Sequence, residues 1–195
     1  MRYNLAQGSI TAEPVTLAEA KMHLRVDDDS TSEDALILAL IRAAREWVED
    51  YCRRSLVSRT ITLRMDCFPG EILLPRGPVS SVTSVQYVDA DGATQTVSAS
   101  NYQTDLYSVV ARILPVLGVV WPQVKNGAVN SVIVTYVAGY ATATELPRSI
   151  KAAILLIVGH LFEHREQVNQ GGMVEVPFAV KALLAPFEVR DFTLE

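Results

Sequence analysis

The segment LPRSIKAAILLIVGHLFEHRE, residues 146–166, decides the fold because it is the longest strongly apolar stretch that keeps a helical period. Its apolar residues recur at the i, i+3 and i+4 spacing that places them on one side of a helix. Pro147 fits the first turn, where a missing backbone N–H costs little, and Thr144 is a candidate N-cap. Leu155 and Phe162 lie outside the main stripe. We therefore expect this helix to need a second covering surface, within the protein or on a neighbouring subunit.

Two further helices are predicted upstream of this segment. The sequence TLAE at 16–19 is a capping box, which predicts a short helix from about Leu17 to Leu24. A longer amphipathic pattern predicts a helix over about 33–52, with Ser30 or Ser32 as its N-cap. Together with 146–166, these helices predict a small α-helical bundle.

Between residues 56 and 140 the pattern changes to short runs of Val, Thr, Ile and Tyr that Pro and Gly interrupt. The turn sequence DADG at 89–92 indicates a hairpin. The apolar density of this region predicts a compact antiparallel sheet or a small barrel, inserted between the helices. The predicted strands are 59–65, 72–74, 82–88, 94–97, 108–114 and 129–137.

These patterns predict the α+β class: a helical bundle with an inserted antiparallel β-sheet or barrel-like segment. We expect one domain over 1–195, because the chain has the length of a single domain or of one domain with an insertion. Its expected parts are a flexible N-terminal arm at 1–14, helices within 16–52 and 145–187, the β insertion at 56–140, and a C-terminal tail at 188–195. A last short helix is predicted over 178–184.

Composition excludes several classes of protein. The chain has 195 residues, 49% of them hydrophobic, and a net charge of −5, which argues against a protein that wraps nucleic acid. Its two cysteines, Cys52 and Cys67, do not make a disulfide framework. The first ten residues contain no apolar run typical of a signal peptide. We expect a soluble intracellular protein with reduced thiols and no membrane partner.

One short motif matches a known metal-binding catalytic pattern. His160, Glu163 and His164 match H-x-x-E-H, the inverted zinc-protease pattern, in which two histidines one helical turn apart share a metal and the glutamate acts as base. A small zinc hydrolase is therefore an alternative hypothesis. Against it, only 31 residues follow His164, and their acidic residues lie in predicted linker, short helix and tail, so a third ligand is missing. The other interpretation is that both histidines flank the apolar stripe as partly buried or interface residues.

No other motif predicts a catalytic or cofactor site. The acidic run at 27–29 does not match an EF-hand, because Ser32 and Leu38 stand where that loop needs Gly and Glu. The sequence contains no P-loop, no dinucleotide-binding fingerprint and no G-x-S-x-G. We therefore expect no catalytic residues, no cofactor and no bound metal.

Several stretches, taken in their order, resemble the head-tail connector (adaptor) proteins of tailed bacteriophages, including relatives in prophages and gene transfer agents. The resemblance covers about 16–187, nearly the whole chain. The stretches that carry it are TLAEAK at 16–21, LRV at 24–26, DALILALI at 34–41, EWVE at 46–49, VTYVAGY at 134–140, the segment 147–166, and ALLAP at 182–186.

This resemblance implies a structural virion protein without enzyme activity. Such proteins are similar in fold and form a ring, of twelve copies in the particle, below the portal protein. The ring joins the portal to the stopper or tail-completion protein and leaves a channel through which DNA passes without specific binding. The implied location is the virion neck, after a period in the host cytoplasm. A stopper or tail terminator is another neck protein to weigh, but those should be mostly β, and the long helices argue against them.

We expect two interaction surfaces on this basis. The tail at 174–195 is the expected portal-binding segment, because aromatic and aliphatic side chains supply most interface energy. Its expected anchors are Phe178, Leu183, Phe187 and Phe192. The expected contacts between subunits in the ring are Leu155, Phe162, Arg42 and Glu46. Ordinary packing inside the chain is the alternative role for these apolar residues.

Overall fold

A computed structural model describes residues 3–125, 127–164 and 178–189, and the chain divides into two compact units. The helical unit comprises Thr11–Val57 and Tyr140–Glu188. The β unit is built around Ser58–Gly139, with the N-terminal residues up to Ile10. The predicted α+β class is confirmed, and the predicted β insertion is the β unit. Each unit has its own hydrophobic core.

The described part of the helical unit contains four α-helices. They are α1 (Leu17–Leu24), α2 (Asp34–Cys52), α3 (Arg148–Glu163) and α4 (Phe178–Leu184), and a 3₁₀ turn, Ala185–Phe187, follows α4. Helices α2 and α3 pack against each other, and α4 packs on α3. Fully buried aliphatic residues of these helices form the centre of the core, namely Ile37, Ile41, Val48, Ile150, Ile154, Val158, Val180 and Leu184.

The helix ends follow local hydrogen bonding. Helix α1 begins with the predicted capping box: the Glu19 N–H donates to Thr16 Oγ1 at 3.2 Å, and the Thr16 N–H donates to the Glu19 carboxylate at 2.9 Å. The predicted serine cap of α2 is wrong, because Glu33 is the N-cap residue and makes no side-chain cap bond. The predicted cap of α3 is also wrong, because Pro147 takes that position and Thr144 Oγ1 instead pairs with the Thr142 hydroxyl at 2.8 Å.

A buried ion network ties α2 to the segment before α1. Arg45 Nη1 donates to Glu49 Oε2 at 2.7 Å, and Arg45 Nε donates to Glu13 Oε2 at 2.8 Å. The other oxygen of Glu49 accepts the backbone N–H of Leu56 at 2.8 Å. Arg45 and Glu49 are both buried, so each charge relies on its partners to offset the loss of hydration.

Two antiparallel sheets make up the described β unit. The larger has the strand order β1-β2-β8-β4-β5, and the smaller has the order β3-β7-β6. Inward residues from both sheets share one core, so the unit consists of two open sheets on a common core and not of one closed barrel. The strands are β1 (Tyr3–Gln7), β2 (Arg59–Met65), β3 (Ile72–Leu74), β4 (Val79–Val88), β5 (Thr94–Thr96), β6 (Tyr102–Asp105), β7 (Ala111–Pro115) and β8 (Val132–Ala138).

Alternation explains the central strands. In β2, Ile61, Leu63 and Met65 are fully buried while the residues between them are less so, which is the period of a half-buried strand. β2 lies between β1 and β8 in the larger sheet. Tyr136 of β8 is buried in the same core, and its hydroxyl donates to the Pro75 carbonyl at 2.7 Å.

The expected flexible arm is partly a strand. β1, which lies within 1–14, pairs antiparallel with β2 from Tyr3 opposite Met65 to Gln7 opposite Ile61. The sequence alone missed β1 because only Leu5 turns toward the core, so the alternation is too weak to read. β6 was also missed, since its four residues carry one apolar side chain that packs on the core.

None of the helices in the described ranges is long and apolar enough to cross a bilayer.

Candidate functional site

The H-x-x-E-H residues lie at the C-terminal end of α3. His164 is the C-cap, outside the helical conformation, and its Nδ1 lies 3.0 Å from the carbonyl oxygen of His160. The two imidazole rings are 4.7 Å apart between centroids and tilted by 36°. Within 3–125, 127–164 and 178–189, no three His, Cys, Asp or Glu residues are grouped so that they could hold a metal. The geometry gives no support to the zinc-hydrolase alternative.

The two cysteines differ in their exposure to solvent. Cys52 is fully buried in the core of the helical unit, and burial raises the pKa of its thiol to about 11, although nearby Arg54 acts in the opposite direction. A protonated, buried thiol is a poor nucleophile. Cys67 is exposed on the β unit.

The four expected portal anchors do not form one exposed group. Phe178, the first residue of α4, is 85% exposed. Leu183 and Phe187 are half-buried and pack against the helical core. The Phe187 carbonyl also accepts a hydrogen bond from Arg54 Nε at 2.7 Å. Phe192 lies outside the described residues, so Phe178 is the one anchor seen to face solvent.

The residues expected to contact a neighbouring subunit also differ in their exposure to solvent. Leu155 and Phe162 are half-buried against the helical core. The side chains of Arg42 and Glu46 are 65% and 67% exposed. Glu46 pairs with Arg45 at 3.1 Å, and Arg42 lies 4.0 Å from Glu13. The two charged residues are therefore accessible to a neighbour, while the two apolar residues are already partly used inside the unit.

One surface of the β unit was missed by the sequence patterns. It combines an exposed turn, with Leu117 at its tip, and a groove whose base is formed by Phe68 and Trp121. The side chain of Leu117 is 99% exposed. The turn could have been predicted, because VLGV at 116–119 contains the Gly that such a turn requires. The sequence gives no indication that Phe68 and Trp121 lie side by side.

Comparison with known proteins agrees with this fold. The family model described as phage gp6-like head-tail connector protein matches residues 14–109. A chain in the neck of an empty gene transfer agent (GTA) particle, computed with C6 symmetry, is 27% identical to this chain with a TM-score of 0.80. The match covers 100% of this chain and 99% of that one.

The chain resembles the head-tail connector proteins.

Two further solved structures resemble this connector. One is a chain in the virion of a native gene transfer agent particle, 26% identical with a TM-score of 0.80, over 100% of this chain and 99% of that one. The other is a chain in the neck of a native GTA particle computed with C12 symmetry, 26% identical with a TM-score of 0.74, over 97% of this chain and 98% of that one. No curated protein matches the connector. The predicted resemblance, including that to gene transfer agents, is confirmed.

Proposed function

We propose that this connector assembles with copies of itself into a ring at the neck of a tailed-phage-like particle, where it joins the portal protein to the stopper or tail-completion protein. The observation that supports this most is the similarity along the whole chain to proteins in GTA necks, one computed with C6 and one with C12 symmetry. A ring of twelve copies agrees with the second. The proposed role is structural, with no catalytic step, and the protein resides in the host cytoplasm until assembly.

The segment 174–195 is the proposed portal-binding element. Phe178 supports this role because an aromatic ring that is 85% exposed gains by leaving water at an interface. Leu183 and Phe187 would support the segment from within the helical unit, since both pack on its core. Phe192 would add a second aromatic contact.

Contacts between copies are proposed to use the outer surface of the helical unit. Arg42 and Glu46 are exposed charges of opposite sign on α2, so they are available to pair across a subunit boundary. Leu155 and Phe162 would contribute the part of their surface that the helical core leaves uncovered.

The channel of the ring is proposed to let DNA pass without gripping it. The connector carries a net charge of −5, and an acidic wall repels the phosphate backbone. We expect the affinity of the connector for duplex DNA to be negligible at physiological salt. Retention of DNA on immobilised connector under those conditions would contradict this part of the proposal.

The test is co-sedimentation of the purified connector with tailless heads that contain portal. We expect the full-length protein to bind. A protein ending at Gly172 also lacks Val180 and Leu184, which are fully buried in the helical core, so its loss of binding would not separate unfolding from a lost portal contact. A Phe178→Ala variant isolates the aromatic contact, with Met22→Ala, another exposed apolar residue, as the matched control. Binding of the Phe178→Ala variant at the wild-type level would refute the assignment of Phe178 as a portal anchor.

A further inference from the structure

Lys21 is a buried lysine beside the acidic run at 27–29. It lies on α1, and 4% of the residue is exposed to solvent. Lysine is almost never buried to this extent unless its ammonium group is paired. The α1–α2 loop, residues 25–33, contains the acidic run, whose sequence does not match an EF-hand. The surroundings of the buried charge follow from the way this loop folds.

The α1–α2 loop folds back over the last turn of α1. Arg25 adopts the left-handed conformation, with φ of +57°, and the Val26 N–H donates to the Lys21 carbonyl at 3.0 Å. This cap ends the helix and reverses the chain. A tight turn follows, in which the Ser30 N–H donates to the Asp27 carbonyl at 3.1 Å. The reversal brings backbone carbonyls of the loop within reach of the Lys21 side chain.

Three oxygen atoms surround the ammonium group of Lys21. Its Nζ donates to the Ser30 carbonyl at 2.8 Å and to the Asp28 carbonyl at 3.1 Å. The third oxygen is Oδ1 of Asp34, at the start of α2, which lies 2.6 Å from Nζ. An ammonium group has three donors and no acceptor, so three oxygens match it. Carbonyls together with a carboxylate are also the ligands with which protein loops bind hard cations such as Ca²⁺.

We propose that the α1–α2 loop is a cation-binding loop whose resident cation is the ammonium group of Lys21. Without a cation, two carbonyl dipoles and the Asp34 carboxylate would face one another with nothing to offset their repulsion. Lys21 therefore holds the loop closed. The aspartates at 27–29 are exposed, and Asp28 supplies its carbonyl to the ammonium group. The closed loop thus carries three negative charges at a fixed place on the surface of the helical unit.

Packing of its apolar stem is the alternative role for Lys21, because lysine buries its methylene groups readily. Lys21→Met separates the two roles, since methionine keeps an unbranched apolar side chain and lacks the charge. In the full-length protein, we expect the amides of 25–33 to exchange about tenfold faster in this variant by hydrogen-exchange mass spectrometry. Lys151→Met is the matched control, because Lys151 pairs with Glu19 of α1, and it should leave that exchange unchanged.

The exchange of the α2 amides reports whether the helical unit stays folded, and we expect the wild-type rate there in both variants. A wild-type exchange rate for 25–33 in Lys21→Met would show that packing alone orders the loop. That result would overturn the inference.

Chemical rescue tests the cation itself. Lys21→Ala removes three carbon atoms and the ammonium group, and n-propylammonium carries the same four atoms, so this ion can refill the space. We expect propylammonium chloride to slow the exchange of 25–33 toward the wild-type rate. Tetramethylammonium chloride at the same concentration should have no such effect, because that ion has no N–H to donate.

Equal effects of the two salts on Lys21→Ala would overturn the inference. Both salts act on one variant, so this comparison decides the question even if Lys21→Met also loosens α2. Neither measurement uses portal or heads, so its outcome is independent of the proposed function.

Discussion

Replacing Arg45 with methionine should destabilise the helical unit by about 3 kcal/mol. The Arg45 side chain is 7% exposed and contacts the carboxylates of Glu13 and Glu49 at 2.8 and 2.7 Å. Methionine fills much of the same space, so the main loss is electrostatic: the Glu49 carboxylate, 6% exposed, loses the guanidinium of Arg45. Removing one partner of a buried pair costs about 3–5 kcal/mol. We take the lower end because Glu49 keeps the Leu56 N–H and Glu13 is 18% exposed.

Urea unfolding followed by circular dichroism at 222 nm measures this change in the free energy of unfolding, because that signal reports mainly the helices. The control is Arg42→Met on the same helix. Arg42 is 65% exposed and 4.0 Å from Glu13, so its loss should cost no more than about 0.5 kcal/mol. Adding Glu49→Gln to Arg45→Met should recover part of the stability, since glutamine is neutral and still accepts the Leu56 N–H. Equal costs for the two single arginine variants would refute the reasoning.

Local contacts give four further predictions. Thr16→Ala removes the N-cap of α1 and should cost about 1 kcal/mol by the same urea assay; no change would mean that the capping box is not formed in solution. Tyr136→Phe leaves the buried Pro75 carbonyl without its donor and should cost about 1–3 kcal/mol, and an unchanged unfolding midpoint would show that water replaces it. In native protein, iodoacetamide should modify Cys67 and spare Cys52. Burial raises the pKa of the Cys52 thiol from an ordinary 9.0 to about 11, so its contribution to the free energy of unfolding should be full below pH 9 and lost as pH rises through 11. If a Cys52→Ala variant loses stability over the same alkaline range, this prediction is wrong.

Elements governed by their own residues could be predicted from sequence. The capping box fixed the start of α1, and strict alternation gave the bounds of β2 as found. β3 and α4 also have their predicted bounds. In each case the signal is local, a cap, a period of two or a proline, so no distant residue had to be known.

Elements that depend on distant partners could not be predicted in this way. β1 is a strand because β2 offers it an edge, and β2 lies more than fifty residues away in the sequence. The same limit applies to the candidate anchors: Leu183 and Phe187 are as apolar as Phe178, and only the packing of α4 shows that they face the helical core. The groove was missed because Phe68 and Trp121 meet only after folding.

The H-x-x-E-H match illustrates how a short pattern can mislead. The spacing of His160 and His164 is right for a shared metal on a continuous helix, but α3 ends at Glu163. The His164 ring then folds back toward the His160 carbonyl. A pattern of five residues does not encode where a helix stops. The order of many stretches along the chain pointed to the connector family, and the comparisons confirm that resemblance.

Imaging the neck of portal-containing heads after incubation with the connector tests the central claim most directly. We predict a new ring of density directly below the portal, with twelvefold symmetry, into which the helical and β units fit as separate bodies. Heads that remain unchanged, with no added density below the portal, would contradict the account.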